Sequence, residues 1–323
     1  GQNDRKIMDT PSSPSLPDAA PASSSSLLSR LFNVFATPGD VFDEVKAGKS
    51  STANWLVPVL LSCVVGVVFV CVAFSQPAIQ QQMREQQDKQ FEKMVEAGKM
   101  SSADAERARA GLEAMGMTII KISGSVGAVL ASFAWLFFMA LVLWMLGTAP
   151  SPATTRTMVC VLSLLGLVLG WSLIKPLDLP WYLRLAFAAL IGVVLGLILG
   201  LLIQRTKPFH GQFAYRQAVE MTGLATMINV LGGIVGMLLA VVMGSIMATP
   251  GPALFIGDFD TTNKTHLLLS SINVMTLWYV GILALALSRL SGVSFAKCAL
   301  WFYGMWLILR LGIVYAGWAG SGM

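Results

Sequence analysis

Four polar side chains interrupt the long apolar runs of this 323-residue chain, and they are its candidate functional residues. They are Glu220, Asn229, Asn273 and Arg310. A charged side chain in a bilayer costs about 2–3 kcal/mol on insertion scales unless it pairs or reaches the interface. An asparagine in a membrane helix usually bonds a neighbouring helix, a contact worth about 0.6 kcal/mol. A path for a polar solute would need several of these groups to converge.

The two charged residues are expected to lie far apart in the membrane. Glu220 falls in the first turn of its apolar run, whereas Arg310 lies eight residues before Trp318, near the end of the last run. The predicted topology puts the carboxylate near the cytoplasmic face and the guanidinium in the outer half, so we expect no ion pair between them. We expect Arg310 to snorkel outward or to bind backbone carbonyls; a functional site is the alternative.

The remaining reactive residue types form no pattern of a catalytic or metal site. The two histidines, His210 and His266, belong to no HExxH sequence, and the four cysteines have no CxxC spacing. The sequence Gly48-Lys49-Ser50 is not a phosphate-binding loop, because Asp43 occupies the position where that motif requires glycine. We therefore expect no enzyme activity, no cofactor and no metal ion.

The elements that position the polar residues are predicted to be transmembrane helices. The chain is 55% hydrophobic and only 12% charged, about half the charge of a soluble domain, with a mean hydropathy of +0.69. Each long apolar run is able to cross a bilayer as a helix. About seven spans are expected, near residues 55–74, 126–146, 158–174, 181–203, 218–247, 267–288 and 298–318. The predicted fold is therefore an all-α, polytopic transmembrane helix bundle.

Two of these runs carry glycines at a spacing of four residues, which lets a second helix approach closely. The positions are Gly192, Gly196 and Gly200 in one run, and Gly232, Gly236 and Gly244 in the other, where Ala240 occupies the position between the last two glycines. The second run, 218–247, would be ~45 Å long as one helix, so we expect a tilted or extended span. We expect both ladders to be packing surfaces, mated with each other or each with a different helix.

Three segments are predicted to lie outside the membrane core. Residues 1–26 are predicted to be a disordered tail, because residues 10–26 contain four prolines and seven serines. Residues 27–50 read as two amphipathic helices, which either lie at the interface or pack on the bundle; we expect the interface. Residues 76–116 read as a polar helical hairpin, in which Gly98 ends one helix and Ser101 caps the next. This hairpin is either a solvated connector, which we expect, or a partner-binding arm.

Three segments occur in an order that resembles a known family. They are LFNVFATPGDVFDEV (31–45), FAYRQAVEMTGLATMINVLGG (213–233) and LWYVGILALALSRLSGVSFAKCALWFYGMW (277–306). With the first span, the polar insert and the second span, they are similar to bacterial members of the Yip family, the Ypt/Rab-interacting protein domain. The resemblance covers about residues 28–147 and 209–316. It implies a polytopic membrane protein without catalysis, with a cytoplasmic N-terminus and a role in membrane organisation or trafficking.

The chain departs from that family in two respects. Family members usually have five spans, whereas residues 150–207 look like an inserted hairpin of two further spans. The Asp-Leu-Tyr-Gly-Pro motif of eukaryotic members is absent, so the resemblance implies no GTPase partner.

Together these observations predict a non-enzymatic scaffold that organises membrane or binds partners. The alternative is a transporter of a small solute or ion, with a polar path near Asn229, Asn273 and Arg310; a continuous polar cavity reaching Arg310 would favour it. The expected partners are the lipid bilayer and either other membrane proteins or a second copy of the chain. The cations lie beside apolar runs, where they can bind anionic lipid headgroups, so we expect no nucleic acid partner. Lys and Arg in short loops predict a cytoplasmic N-terminus and an external C-terminus. The resemblance to bacterial family members implies that the membrane is a bacterial inner membrane.

Overall fold

The structure is a computed structural model that describes residues 25–174, 180–206, 208–246, 248–257, 259 and 263–315, without the side chains of 113–115, 168–174 and 315. Throughout this part of the chain the regular elements are helices, and the predicted all-α class is confirmed. The helices are α1 (Leu27–Ala36), α2 (Pro38–Ala47), α3 (Ala53–Ala73), α4 (Pro77–Glu96), α5 (Ser102–Gly147), α6 (Pro152–Ile174), α7 (Trp181–Thr206), α8 (Tyr215–Met243), α9 (Lys264–Ser271), α10 (Val274–Ser291) and α11 (Phe295–Tyr315). The predicted disordered tail lies, except for its last two residues, outside the described range.

Within the described ranges, six helices are long and apolar enough to cross a bilayer. They are α3, the Gly116–Gly147 part of α5, α7, α8, α10 and α11. The protein is accordingly an integral membrane protein. The third predicted span, 158–174, falls within α6, whose side chains are described only as far as Leu167.

Two predicted spans have different ends in the structure. The run 267–288 is not one helix: α9 ends at Ser271 and α10 starts at Val274, because the Asn273 side chain caps α10 by accepting a 2.8 Å hydrogen bond from the Met275 backbone nitrogen. The run 218–247 ends early, since Gly244 adopts a left-handed conformation (φ +63°) that stops α8 after Met243. Gly244 is therefore a helix terminator and not a rung of a packing ladder.

The polar insert forms a hairpin from α4 and the first part of α5. Gly98 has φ +66° in the turn, and the Ser101 hydroxyl accepts a 3.1 Å hydrogen bond from the Asp104 backbone nitrogen, as predicted. The Arg109 Nε lies 2.9 Å from Asp88 Oδ1 and joins the two arms. At Gly116 (φ 68°, ψ 156°) the backbone leaves helical geometry, which separates the polar arm from the apolar span of α5.

The core of the bundle lies between α8 and α10, and the N-terminal helix pair is part of it. Fully buried Phe42 of α2 and Val34 of α1 belong to the same apolar cluster as Leu224 of α8 and Leu283 of α10. Full burial of such side chains contributes about 1.5–3 kcal/mol each. The buried face of this pair therefore packs on the bundle, and its expected position at the membrane interface stays a prediction.

The hairpin of α6 and α7 packs mainly on itself. Among the described helices, its contact with the remainder of the bundle is made chiefly by α6 against α5. At its base, Gly211 donates a 2.9 Å backbone hydrogen bond to Gly147, and Ala149 donates one of 3.0 Å to Gly211. The glycine ladder of α7 faces α6, so it does not mate with the ladder of α8.

Candidate functional site

The first turns of α8 place a carboxylate in the protein interior. The side chain of Glu220 is 1% exposed. Helix α8 starts at Tyr215. Just before it, the Ala214 backbone nitrogen donates a 3.1 Å hydrogen bond to the side chain of Gln217 in the first turn. One turn after the carboxylate, Gly223 lies so close to α3 that an added methyl group would overlap Trp55. This approach brings the start of α3 within hydrogen-bonding distance of Glu220.

Four groups converge on the Glu220 carboxylate. The Asn54 side-chain amide donates to Oε2 at 2.8 Å and the Ser51 backbone nitrogen donates to the same oxygen at 3.1 Å. The hydroxyl of Ser50 donates to Oε1, and the Nε of Arg216, one turn before Glu220, lies 3.8 Å from Oε1. A buried carboxylate is tolerated only when it is paired and hydrogen-bonded in this way. Glu220 therefore fixes the α2–α3 linker to α8.

The polar contacts continue from Asn54 into the N-terminal helix pair. The Asn54 side-chain oxygen accepts a 3.3 Å hydrogen bond from Arg30 Nη1, and the Nη2 of Arg30 lies 2.8 Å from Glu44 Oε1. Ser25 also donates to Glu44 through its backbone nitrogen and hydroxyl. We call Glu44, Arg30, Asn54 and Glu220, with their serine and Arg216 partners, the Glu220 network. It links α1, α2, α3 and α8.

The partners of Glu44 in this network shift the pKa of its carboxyl. Partial burial raises the pKa of its carboxyl, but hydrogen bonds from Ser25 and Arg30 and the positive charge of Arg30 outweigh that effect. The pKa of Glu44 is consequently below its ordinary value, and the carboxylate is the favoured form in the docked helix pair.

A second set of contacts holds α2 on the end of α10. Arg289 Nη1 lies 2.9 Å from Asp43 Oδ2, and the ammonium group of Lys46 donates to the backbone oxygen of Arg289. Gly39 gives the Arg289 guanidinium room, because a methyl group there would lie 2.7 Å from Nη2. The helix pair is thus clamped at both α8 and α10.

Docking leaves one apolar edge of α1 uncovered. Leu31 and Val34 are buried, whereas Leu28 and Phe32 are 64% and 66% exposed. Leu28 and Phe32 are four residues apart and so lie on the same side of the helix. We call this pair the α1 outer edge.

A cavity of about 320 Å³ adjoins the second half of α8. It lies between α3, α5, α8 and the loop after α8, and we call it the α8 cavity. Its polar lining side chains are Ser62, Ser132, Asn229, Thr249 and Asn273. The cavity therefore brings together Asn229 and Asn273, two of the four polar residues singled out in the sequence.

The other predicted residues are placed separately. Arg310 lies on α11, half-buried, and is not among the described residues that line the α8 cavity with the two asparagines. As expected, Glu220 and Arg310 do not pair. Gly232 of the α8 ladder faces Met275, whereas a methyl group added at Gly236 would meet no atom within 4 Å.

The residues not predicted from the sequence are the other members of the Glu220 network. Arg30 and Glu44 lie in the segment interpreted as interfacial helices, and Asn54 directly precedes the first predicted span. The available signal was the cost of burying an acid, which requires partners, together with Gly223, where a second backbone approaches. In the part of the chain that the structure describes, no three His, Cys, Asp or Glu side chains group as metal ligands.

Comparisons with known proteins give this chain no relative. No protein-family model, no curated protein and no solved structure matches it. The resemblance to the Yip family therefore depends on the three segments quoted above.

Proposed function

We propose that this protein is a non-enzymatic membrane scaffold of the Yip type, which organises membrane or binds partners through the α1 outer edge. The observation that carries the proposal is the exposure of Leu28 and Phe32 on a helix that the bundle holds in place. An exposed apolar edge on an ordered element is typical of a contact surface for lipid or protein.

The way in which α1 is held supports this role. Arg30 is bonded to both Glu44 and Asn54, so the helix is ordered before any partner arrives. A preorganised surface binds without the entropy loss of folding a free amphipathic segment. From the distribution of Lys and Arg in the short loops we propose that this end of the bundle is cytoplasmic, and from the resemblance to bacterial Yip members that the membrane is a bacterial inner membrane.

Photo-crosslinking in native membranes tests the proposal. A benzophenone amino acid at position 28 or 32 of the full chain should give strong adducts with lipid or with one or a few proteins. Asn33 is the matched control, because it is exposed on the same helix beside Phe32. Equal labelling at 28, 32 and 33, or none at 28 and 32, would contradict a specific contact surface.

The transporter alternative has one observation in its favour, the meeting of Asn229 and Asn273 in the α8 cavity. Purified protein in proteoliposomes should then pass a small neutral solute such as glycerol faster than empty vesicles do. Replacement of Asn229 by leucine should remove that excess, and an unchanged rate would exclude this path.

A further inference from the structure

We propose that the α8 cavity binds a neutral lipid of the diacylglycerol class. The hydroxyl group of such a lipid donates and accepts hydrogen bonds, and its ester groups accept them. The cavity lies at the opposite end of α8 from the Glu220 network, so this inference does not depend on the α1 outer edge. It rests on the position of the cavity, the chemistry of its lining, and one unpartnered hydroxyl group.

The cavity lies at membrane depth. Asn229 is nine residues beyond Glu220 and Gly236 sixteen, which places them about 13 Å and 24 Å further along the helix. Besides the loop after α8 and Asn273, the other walls are formed by α3 and α5, which are themselves candidate spans. A ligand would therefore reach this site most readily from the bilayer.

The chemistry of the lining selects an uncharged amphiphile. None of the described residues that line the cavity is charged, so an ionic headgroup would be desolvated without compensation from them. Its five polar side chains are hydroxyls and amides, whereas the rest of the lining is apolar or glycine. A volume of about 320 Å³ is within the range of small-molecule sites, ~300–1,000 Å³.

One lining group points directly to a missing partner. The hydroxyl oxygen of Thr249 is inaccessible to solvent and has no hydrogen-bond partner among the residues that the structure describes. An unpaired buried hydroxyl costs about 1–3 kcal/mol. A hydroxyl or ester oxygen of a bound lipid would complete its hydrogen bonding. Asn273 lies in the same lining. Its side-chain oxygen accepts the hydrogen bond that caps α10, so its amide hydrogens are left to bind a ligand.

The test uses the purified full chain in phosphatidylcholine nanodiscs, with dioctanoylglycerol as the probe. We expect native mass spectrometry to show saturable binding of one probe molecule, and we expect the thermal unfolding midpoint to rise with probe concentration. Absence of saturable binding would overturn the proposal. Binding of glycerol with equal affinity would also overturn it, because the site would then select a soluble polyol and not a lipid.

Two variants locate the site. Gly236→Leu should fill the cavity without backbone overlap, since a methyl group there meets no atom within 4 Å, and should weaken probe binding at least tenfold. Gly312→Leu is the matched control: it is equally unhindered but lies on α11, away from the cavity, and should bind as the parent does. Equal binding by both variants would overturn the assignment of the site.

Thr249→Val provides a second variant that preserves shape. It removes the unpartnered hydroxyl, so the ligand-free protein should be at least as stable as the parent, while affinity for the probe should fall several-fold. Unchanged affinity would show that this hydroxyl does not bind the lipid and would overturn the hydrogen-bonding part of the proposal.

Discussion

The two glycine ladders have the same spacing, but only that of α7 is a packing surface throughout. A methyl group on Gly192 would lie 2.6 Å from the Leu167 backbone nitrogen, and one on Gly200 would lie 2.8 Å from Val159 Cγ2. On α8, a methyl group on Gly232 would approach only Met275 Cβ, at 3.2 Å, and one on Gly236 would meet open space.

The difference shows that glycine spacing permits close approach but does not select the partner. The helices α6 and α7 are consecutive, so each is the nearest available surface for the other. Helix α8 is central in the bundle and is fixed otherwise, by the buried Glu220 network and by Gly223 against Trp55. The hairpin is thus held by small residues, and α8 by a polar anchor.

The largest expected effect comes from Gly196→Leu. Its side chain would overlap Ser163 of α6, including the backbone, and we expect the hairpin to lose about 4 kcal/mol. Hydrogen exchange followed by mass spectrometry should show faster exchange in α6 and α7 and no change in α8. Gly236→Leu is the matched control and should leave exchange in both regions unchanged; equal damage by the two variants would refute the contrast between the ladders.

Removal of the polar anchor should have the next largest effect. Glu220→Ala leaves Asn54 and the Ser51 backbone nitrogen buried without an acceptor, so the bundle should lose about 3 kcal/mol. Thermal unfolding in detergent should show the loss, with exchange increasing in α1, α2 and the start of α3. Glu220→Gln retains one acceptor and should lose less; a larger loss from glutamine than from alanine would contradict the anchor role.

Acid should loosen the helix pair by a smaller amount. The pKa of Glu44 is lowered from its ordinary 4.5, so its stabilisation is fully present above that value and is lost as pH falls through the lower value of the docked state. A spin label at Asn33 should therefore become more mobile below about pH 4.5. In Glu44→Gln this step should be absent; an identical step in that variant would assign the transition to another group.

The smallest expected effect is that of Gly236→Ala. The position is helical and unhindered, so alanine should leave stability unchanged or raise it by up to about 1 kcal/mol through higher helix propensity. The corresponding change at Gly200 should be destabilising. Chemical unfolding of both alanine variants measures this difference in sign.

Much of the helical architecture could be predicted from the sequence because span length and polarity are local properties. The polar hairpin is such a case, since Gly98 and Ser101 determine its turn from their own conformations. The break before α10 could not be predicted in this way: an asparagine that caps a helix and one that bonds across a bundle look the same within an apolar run.

The docking of α1 and α2 shows a different limit. An amphipathic face is equally suited to a bilayer and to a helix bundle, so Leu31 and Phe42 do not reveal which one they contact. The Glu220 network combines residues from four separate segments, and Arg30 and Glu220 are 190 positions apart. Only the three-dimensional arrangement brings them together.

The backbone hydrogen bonds of Gly211 to Gly147 and Ala149 have a consequence for how this chain could be shortened. The chain leaves the bundle after Gly147 and returns to it at Gly211, so the segment 148–210 begins and ends at the same place. A single insertion or deletion in the gene would add or remove this segment without changing the path of the others. A shortened protein that joins Gly147 to Gly211 should keep the remaining helices in their present order and direction.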